Sequence, residues 1–153
     1  MSIQSIQVER GLSLPQEYLK LLSSLDEADE YCFNEYPQDD PDFEGRCWCF
    51  LNEEELNEEI DMPGVGKSPA HKQLEIYIKC FIEYSDNQFL TSPNGRVPIQ
   101  CVINGFVIAE DNGDLLYLDP LDDFSVWIFH HDGSDVMKVA NSIGDWQSRA
   151  VVA

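Results

Sequence analysis

Positive charge is scarce in this chain. Its 153 residues hold 9 Lys and Arg against 29 Asp and Glu, a formal charge of −20. That balance argues against direct binding to DNA, RNA or an anionic membrane, because phosphates attract Lys and Arg. Long apolar runs are missing too. The densest, Phe106–Ala109 and Val126–Phe129, fall far short of the roughly 20 residues of a helical membrane crossing. Met1–Gln4 has neither a basic nor an apolar stretch, so no signal peptide is expected there. There is no G-x-S-x-G elbow, no P-loop and no H-E-x-x-H, which leaves catalysis without a signature. Carboxylates are so numerous that no one pair stands out as general acid and base. The expectation is a protein that is not an enzyme and has no cofactor. The cysteines, at 32, 47, 49, 80 and 101, are odd in number and scattered. They read as reduced, mostly buried thiols of a cytoplasmic protein rather than as a disulfide framework.

What is present points to one folded domain over residues 1–153. A hydrophobic share of 43%, with aromatic residues at 11% of the chain, is enough for one core and too much for a disordered chain. The negative charge is concentrated: residues 21–61 contain fifteen acidic side chains and only Arg46 as a base, net −14. Glu35–Gly45, Pro63–Pro69 and Thr91–Pro98 read as loops.

Leu14, Tyr18, Leu21, Leu22 and Leu25 lie on one helical face, with Pro15 in a first turn and Ser13 with Gln16 as a capping box. A second helix is expected from Glu53 to about Asp61, with Asn52 as its cap, Glu55 completing a capping box and Leu51 stapling to Leu56. Arg46–Phe50 reads as a strand. Residues 69–84 fit both periods, and the helical stripe Ala70, Leu74, Tyr77, Ile78, Phe81 is preferred because it persists for about four turns. Behind these comes a strand meander. It comprises Val102–Ala109 with a turn at Asn104-Gly105, Leu115–Asp119 after the Asp111–Asp114 turn, Ser125–His131, and Val136–Ala140 before a helix capped by Asn141 or Ser142. Helices followed by an antiparallel meander mean an α+β fold.

Metal sites are weakly supported. Cys47-x-Cys49 places two thiols on one strand face, but no second pair stands at zinc-like spacing, so buried thiols are the better reading. His130 and His131, neighbours on a strand, face opposite sides. Asp111–Asp114 lacks the calcium-loop ladder and is better read as a turn. A Cys/His nucleophile using His130 or His131 would need a proximity that spacing does not reveal. Trp48, Trp127 and Trp146 suit packing better than a ligand cage, with Trp146 the one most able to leave a face open to a partner.

Several blocks together resemble a known family. Leu14-Pro15-x-x-Tyr18-x-x-Leu21-Leu22 is similar to the opening helix of the SUKH superfamily, of the Smi-Knr type. Ile108–Asp119 resembles its central hairpin, Val126–His131 its next strand, and Val139–Trp146 its approach to a last helix. The resemblance implies a non-catalytic binding domain. Many bacterial members resemble immunity proteins that neutralise polymorphic or contact-dependent toxins, and eukaryotic members act in regulation. Nuclease toxins are one class with basic clefts, for which an acidic surface can compete. Against this stands the plainer reading, that the charge keeps the protein soluble. The expected contact residues are Asp39, Asp40, Asp42 and Glu44; then Glu53, Glu54, Glu55, Glu58, Glu59 and Asp61; then Asp122 and Asp123. The expected partner is a cognate toxin protein. The alternatives are a regulatory scaffold that binds a cellular protein through the same face, and, lower, an enzyme with a hidden acidic metal site.

Overall fold

Ser2 opens a helix that the sequence pattern did not announce, α1 (Ile3–Arg10), its hydroxyl accepting from the Ser5 backbone N–H at 3.2 Å. Only Ile3 and Ile6 are buried on it, too short a stripe to read. The computed structural model describes residues 1–84 and 88–153. The expected helix behind Leu14 is α2 (Gln16–Ser23), with Tyr18 and Leu21 buried, but the Ser13–Gln16 capping box does not form. Pro15 is the N-cap and no side chain caps the helix. A residue before proline avoids the helical region, so Leu14 cannot be helical and Ser13 stands too early. Instead the Gln7 side chain accepts from the Leu14 backbone N–H at 2.8 Å.

β1 (Glu30–Phe33) and the expected strand β2 (Arg46–Phe50) form an antiparallel pair. The helix expected over 53–61 is a single turn, α3 (Glu53–Leu56), with the Asn52/Glu55 capping box in place. Continuing it would stack Glu54 on Glu58 and Glu55 on Glu59, like charges one turn apart. The chain turns at Asn57 and becomes β3 (Glu59–Met62), paired with β4 (Gly66–Pro69), so part of the expected 63–69 loop is strand.

After a 3-10 turn at Ala70–Lys72, the helical reading of 69–84 holds as α4 (Leu74–Tyr84). The second expected loop, 91–98, is a hairpin of β5 (Phe89–Ser92) and β6 (Gly95–Pro98). α5 (Ile99–Ile103) follows and corrects the expected strand from Val102, which begins only at Phe106. The meander is as expected: β7 (Phe106–Asp111), β8 (Asp114–Asp119), β9 (Ser125–His130) and β10 (Asp135–Ala140). Ser142 caps α6 (Ile143–Arg149), and β11 (Val151–Val152) pairs with β1.

Among the described residues, seven strands form one antiparallel sheet in the order β10-β9-β8-β7-β2-β1-β11, alongside six helices in an α+β fold. Successive strand residues point to opposite faces. Phe106, Val107, Ile108 and Ala109 are all 0% exposed, so both faces are covered at β7, which explains a continuous apolar run where alternation might be looked for. Trp48 and Trp146 are fully buried, whereas Trp127 is half-buried and donates from Nε1 to Ser125. Trp146, expected as the candidate open face, lies stacked on Phe33 at 5.1 Å with Tyr31 and Phe50 against it edge-on.

Candidate functional site

β2 and β8 run in the same direction through the sheet, and this divides the twelve expected contact residues between its two ends. Asp39, Asp40, Asp42 and Glu44 lie on the 34–45 connection from β1 to β2. Glu53, Glu54, Glu55, Glu58, Glu59 and Asp61 lie past the opposite end of β2, on α3 and β3, and Asp122 and Asp123 follow β8 at that same end. All are exposed except the half-buried Glu55. They do not make one face.

Several of them already have structural work. Glu53 accepts a hydrogen bond from the Ile3 backbone N–H and so caps α1 from a distance of fifty residues. Glu55 closes the α3 capping box. Glu59 lies 3.5 Å from Lys67. Asp122 accepts from the Ser125 hydroxyl at 2.6 Å and from Lys138 at 2.9 Å, and these bonds hold its carboxyl below the usual aspartate range. By contrast, among the described residues the carboxylates of Asp39, Asp40, Asp42 and Glu44 make no ion pair.

The 34–45 loop is built rather than loose. The Asn34 side chain accepts from the Tyr36 backbone N–H at 3.0 Å and donates to the Asp40 carbonyl at 2.8 Å. Asp39 and Asp40 both donate backbone N–H to the Tyr36 carbonyl, and Phe43 donates to that of Asp40. The chain returns at Gly45 (φ 102), where any Cβ would lie 1.9 Å from the Phe33 carbonyl oxygen. Only glycine permits so close an approach. Tyr36 and Phe43 are each 55% exposed, and the Tyr36 hydroxyl donates to Met137 Sδ at 3.4 Å. Under the loop lies a hollow of about 380 Å³ walled by Phe33, Tyr36 and Phe43 and edged by Glu35, Asp39 and Asp40.

At the base of this loop the expectation of five reduced cysteines fails. Cys32 and Cys47 are directly opposite in the β1–β2 register and form a disulfide, while Cys49 is exposed and Cys80 and Cys101 are half-buried thiols. The pairing depends on strand register, which spacing alone does not contain. Beside it Arg46 reaches Asp111 at 2.8 Å and Asp114 at 2.9 Å, its guanidinium 4.5 Å over the Trp48 ring. Burial pushes the Asp114 carboxyl up, but hydrogen bonds from the His131 backbone and ring and from Arg46 outweigh it and hold the group below its ordinary value. Burial pushes Glu35 up against the opposing pull of Arg46 and His130. His131 pairs with Asp114 and Asp132, and His130 with Asp135. Among the described residues no three metal-ligating side chains converge, and no helix is long and apolar enough to cross a membrane.

The aromatic pair Tyr36 and Phe43 was missed in the sequence, where both sit inside what reads as an acidic, proline-rich loop. Their signal was the presence of two large rings where loop residues are usually small and polar.

A family model, that of the SMI1 / KNR4 family (SUKH-1), matches residues 2–149, nearly the whole chain. No curated protein and no solved structure matches the chain.

Proposed function

Because this chain belongs to the SMI1 / KNR4 family (SUKH-1), a family of toxin-immunity-type domains, we propose that it is a non-catalytic immunity protein that binds one cognate toxin domain and silences it by occlusion. The 34–45 loop is the centre of contact. The observation that carries this reading is the display of Tyr36 and Phe43 among Asp39, Asp40, Asp42 and Glu44 on a loop fixed at both ends. Exposed aromatic rings are the usual anchors of protein interfaces, and a rim of one charge sets which partner approaches.

A toxin with a basic cleft, such as a nuclease, is the complementary partner. Its phosphate-binding groove needs Lys and Arg, and an acidic loop seated there excludes the substrate without any bond being made or broken. The acidic residues of α3 and β3, and Asp122 with Asp123, lie at the other end of the sheet. They contribute to the long-range field more than to contact.

The test is co-expression with a candidate toxin domain taken from a gene neighbouring this one. Rescue of growth and a stable complex are expected. Reversal of Asp39, Asp40, Asp42 and Glu44 to lysine is expected to abolish rescue in a protein that still folds. Undiminished protection by that variant would overturn the assignment of the loop, and absence of rescue by the unaltered protein would overturn the immunity reading.

A further inference from the structure

The hollow beneath the 34–45 loop has a specific chemistry. Its walls are aromatic and its rim carries Glu35, Asp39 and Asp40. Glu35 Oε1 is buried and finds no hydrogen-bond partner among the described residues. Among the described residues the one cation lining the hollow, Arg46, is already matched by two carboxylates, Asp111 and Asp114, so the rim stays negative. Glu35 as a whole is half-buried and lines the hollow, and a charged donor best compensates a carboxylate that is partly withdrawn from water.

The geometry points to one occupant: the hollow receives a single arginine side chain of the partner, its guanidinium between the Tyr36 and Phe43 rings and hydrogen-bonded to Glu35. This deepens the immunity reading and rests on it only for which protein bears the arginine. A guanidinium is flat, weakly hydrated and always charged. It stacks on aromatic faces while presenting a fork of donors, whereas a lysine ammonium is compact and strongly hydrated. An anionic group meets a rim of its own sign, and a second copy of a chain carrying −20 brings the same sign again. Burial raises the Glu35 carboxyl even against the pull of Arg46 and His130, so a closer cation has desolvation left to offset. The loop's internal hydrogen bonds and the Tyr36–Met137 contact fix the walls in advance, so little ordering remains at binding.

The probe is N-acetyl-arginine methylamide, titrated into the isotope-labelled protein and followed by NMR, with the neutral citrulline and the cationic lysine counterparts run at equal ionic strength. Saturable shifts are expected at Tyr36, Phe43 and the Glu35 carboxyl, with a dissociation constant of order millimolar and binding about tenfold weaker for both counterparts. Glu35→Gln, and separately Phe43→Ala, are expected to weaken the arginine probe by about tenfold while leaving the spectrum of the sheet unchanged. Equal binding of citrulline or lysine, shifts spread over Glu53–Asp61, or no saturable shift would each overturn the assignment. The probe involves no toxin. Arginine binding without growth rescue would sink the immunity reading alone, and growth rescue without arginine binding would sink this inference alone.

Discussion

Cys32 and Cys47 face one another across the β1–β2 ladder, Cα atoms 4.0 Å apart, and their disulfide ties off the loop that carries Tyr36 and Phe43. The bond therefore belongs to the proposed contact loop as much as to the sheet. Closing a loop of fifteen residues restricts the unfolded chain by up to about 3 kcal/mol. Cys47→Ser is expected to lower stability by an amount of that order and to raise amide exchange over 34–45 more than over β7 and β8. Alkylation of the denatured, unreduced protein should modify three thiols. Modification of all five would refute the pairing.

The Trp146 ring completes the packing around Phe33, Tyr31 and Phe50. Trp146→Ala leaves a cavity that those rings cannot fill, and a loss of roughly 3–5 kcal/mol is expected. Urea denaturation monitored by the remaining tryptophans measures it. A loss below about 1 kcal/mol would show that the site collapses freely.

His71 is 2% exposed, its ring 5.5 Å from that of Phe106 and its Nδ1 3.4 Å from Arg10 Nη1. Burial, with the nearby charges of Arg10 and Lys72, lowers its pKa to about 4. An unfolded histidine takes up its proton near pH 6.5. Between that pH and the folded value the unfolded state binds a proton the native state refuses, so stability falls as pH falls. The whole window is worth up to about 3 kcal/mol. His71→Phe keeps a ring against Phe106 and should flatten this slope. Ring titration near pH 6.5 in the native protein, followed by NMR, would disprove the prediction.

Neutralising the loop as Asp39→Asn, Asp40→Asn, Asp42→Asn and Glu44→Gln removes charges that make no ion pair, so stability should change by no more than about 0.5 kcal/mol. Association with a basic toxin domain should slow by about tenfold at low ionic strength, with a shallower salt dependence. Stopped-flow mixing at several salt concentrations tests this. An unchanged on-rate would place the steering field elsewhere.

Strong local patterns were legible in the sequence, as were long apolar strands. The Asn52/Glu55 capping box, the helix behind Pro15 and the run from Phe106 to His130 each carry their signal within a few neighbours. Elements settled by competition were not. Continuing α3 past Leu56 would set Glu58 and Glu59 one turn from Glu54 and Glu55, and Val102 lies in α5, which packs against α4. β1 has only four residues, and α1 buries only two side chains, so neither announces itself. The acidic stretch was legible as charge, but not its division between two ends of the sheet. That follows from β2 running through the middle of it, from Glu44 at one end to Glu53 at the other. The hollow under the loop depends on Gly45 bringing the returning chain against Phe33, a contact that no periodicity encodes.

Between Tyr36 and Glu44 every residue is exposed, while Phe33 and Trp48, just outside, belong to the core. Selection on the tip is thus uncoupled from selection on the scaffold. Those nine positions can be rewritten with little risk to the core, and an engineer can exchange them as a cassette between the same two anchoring cysteines.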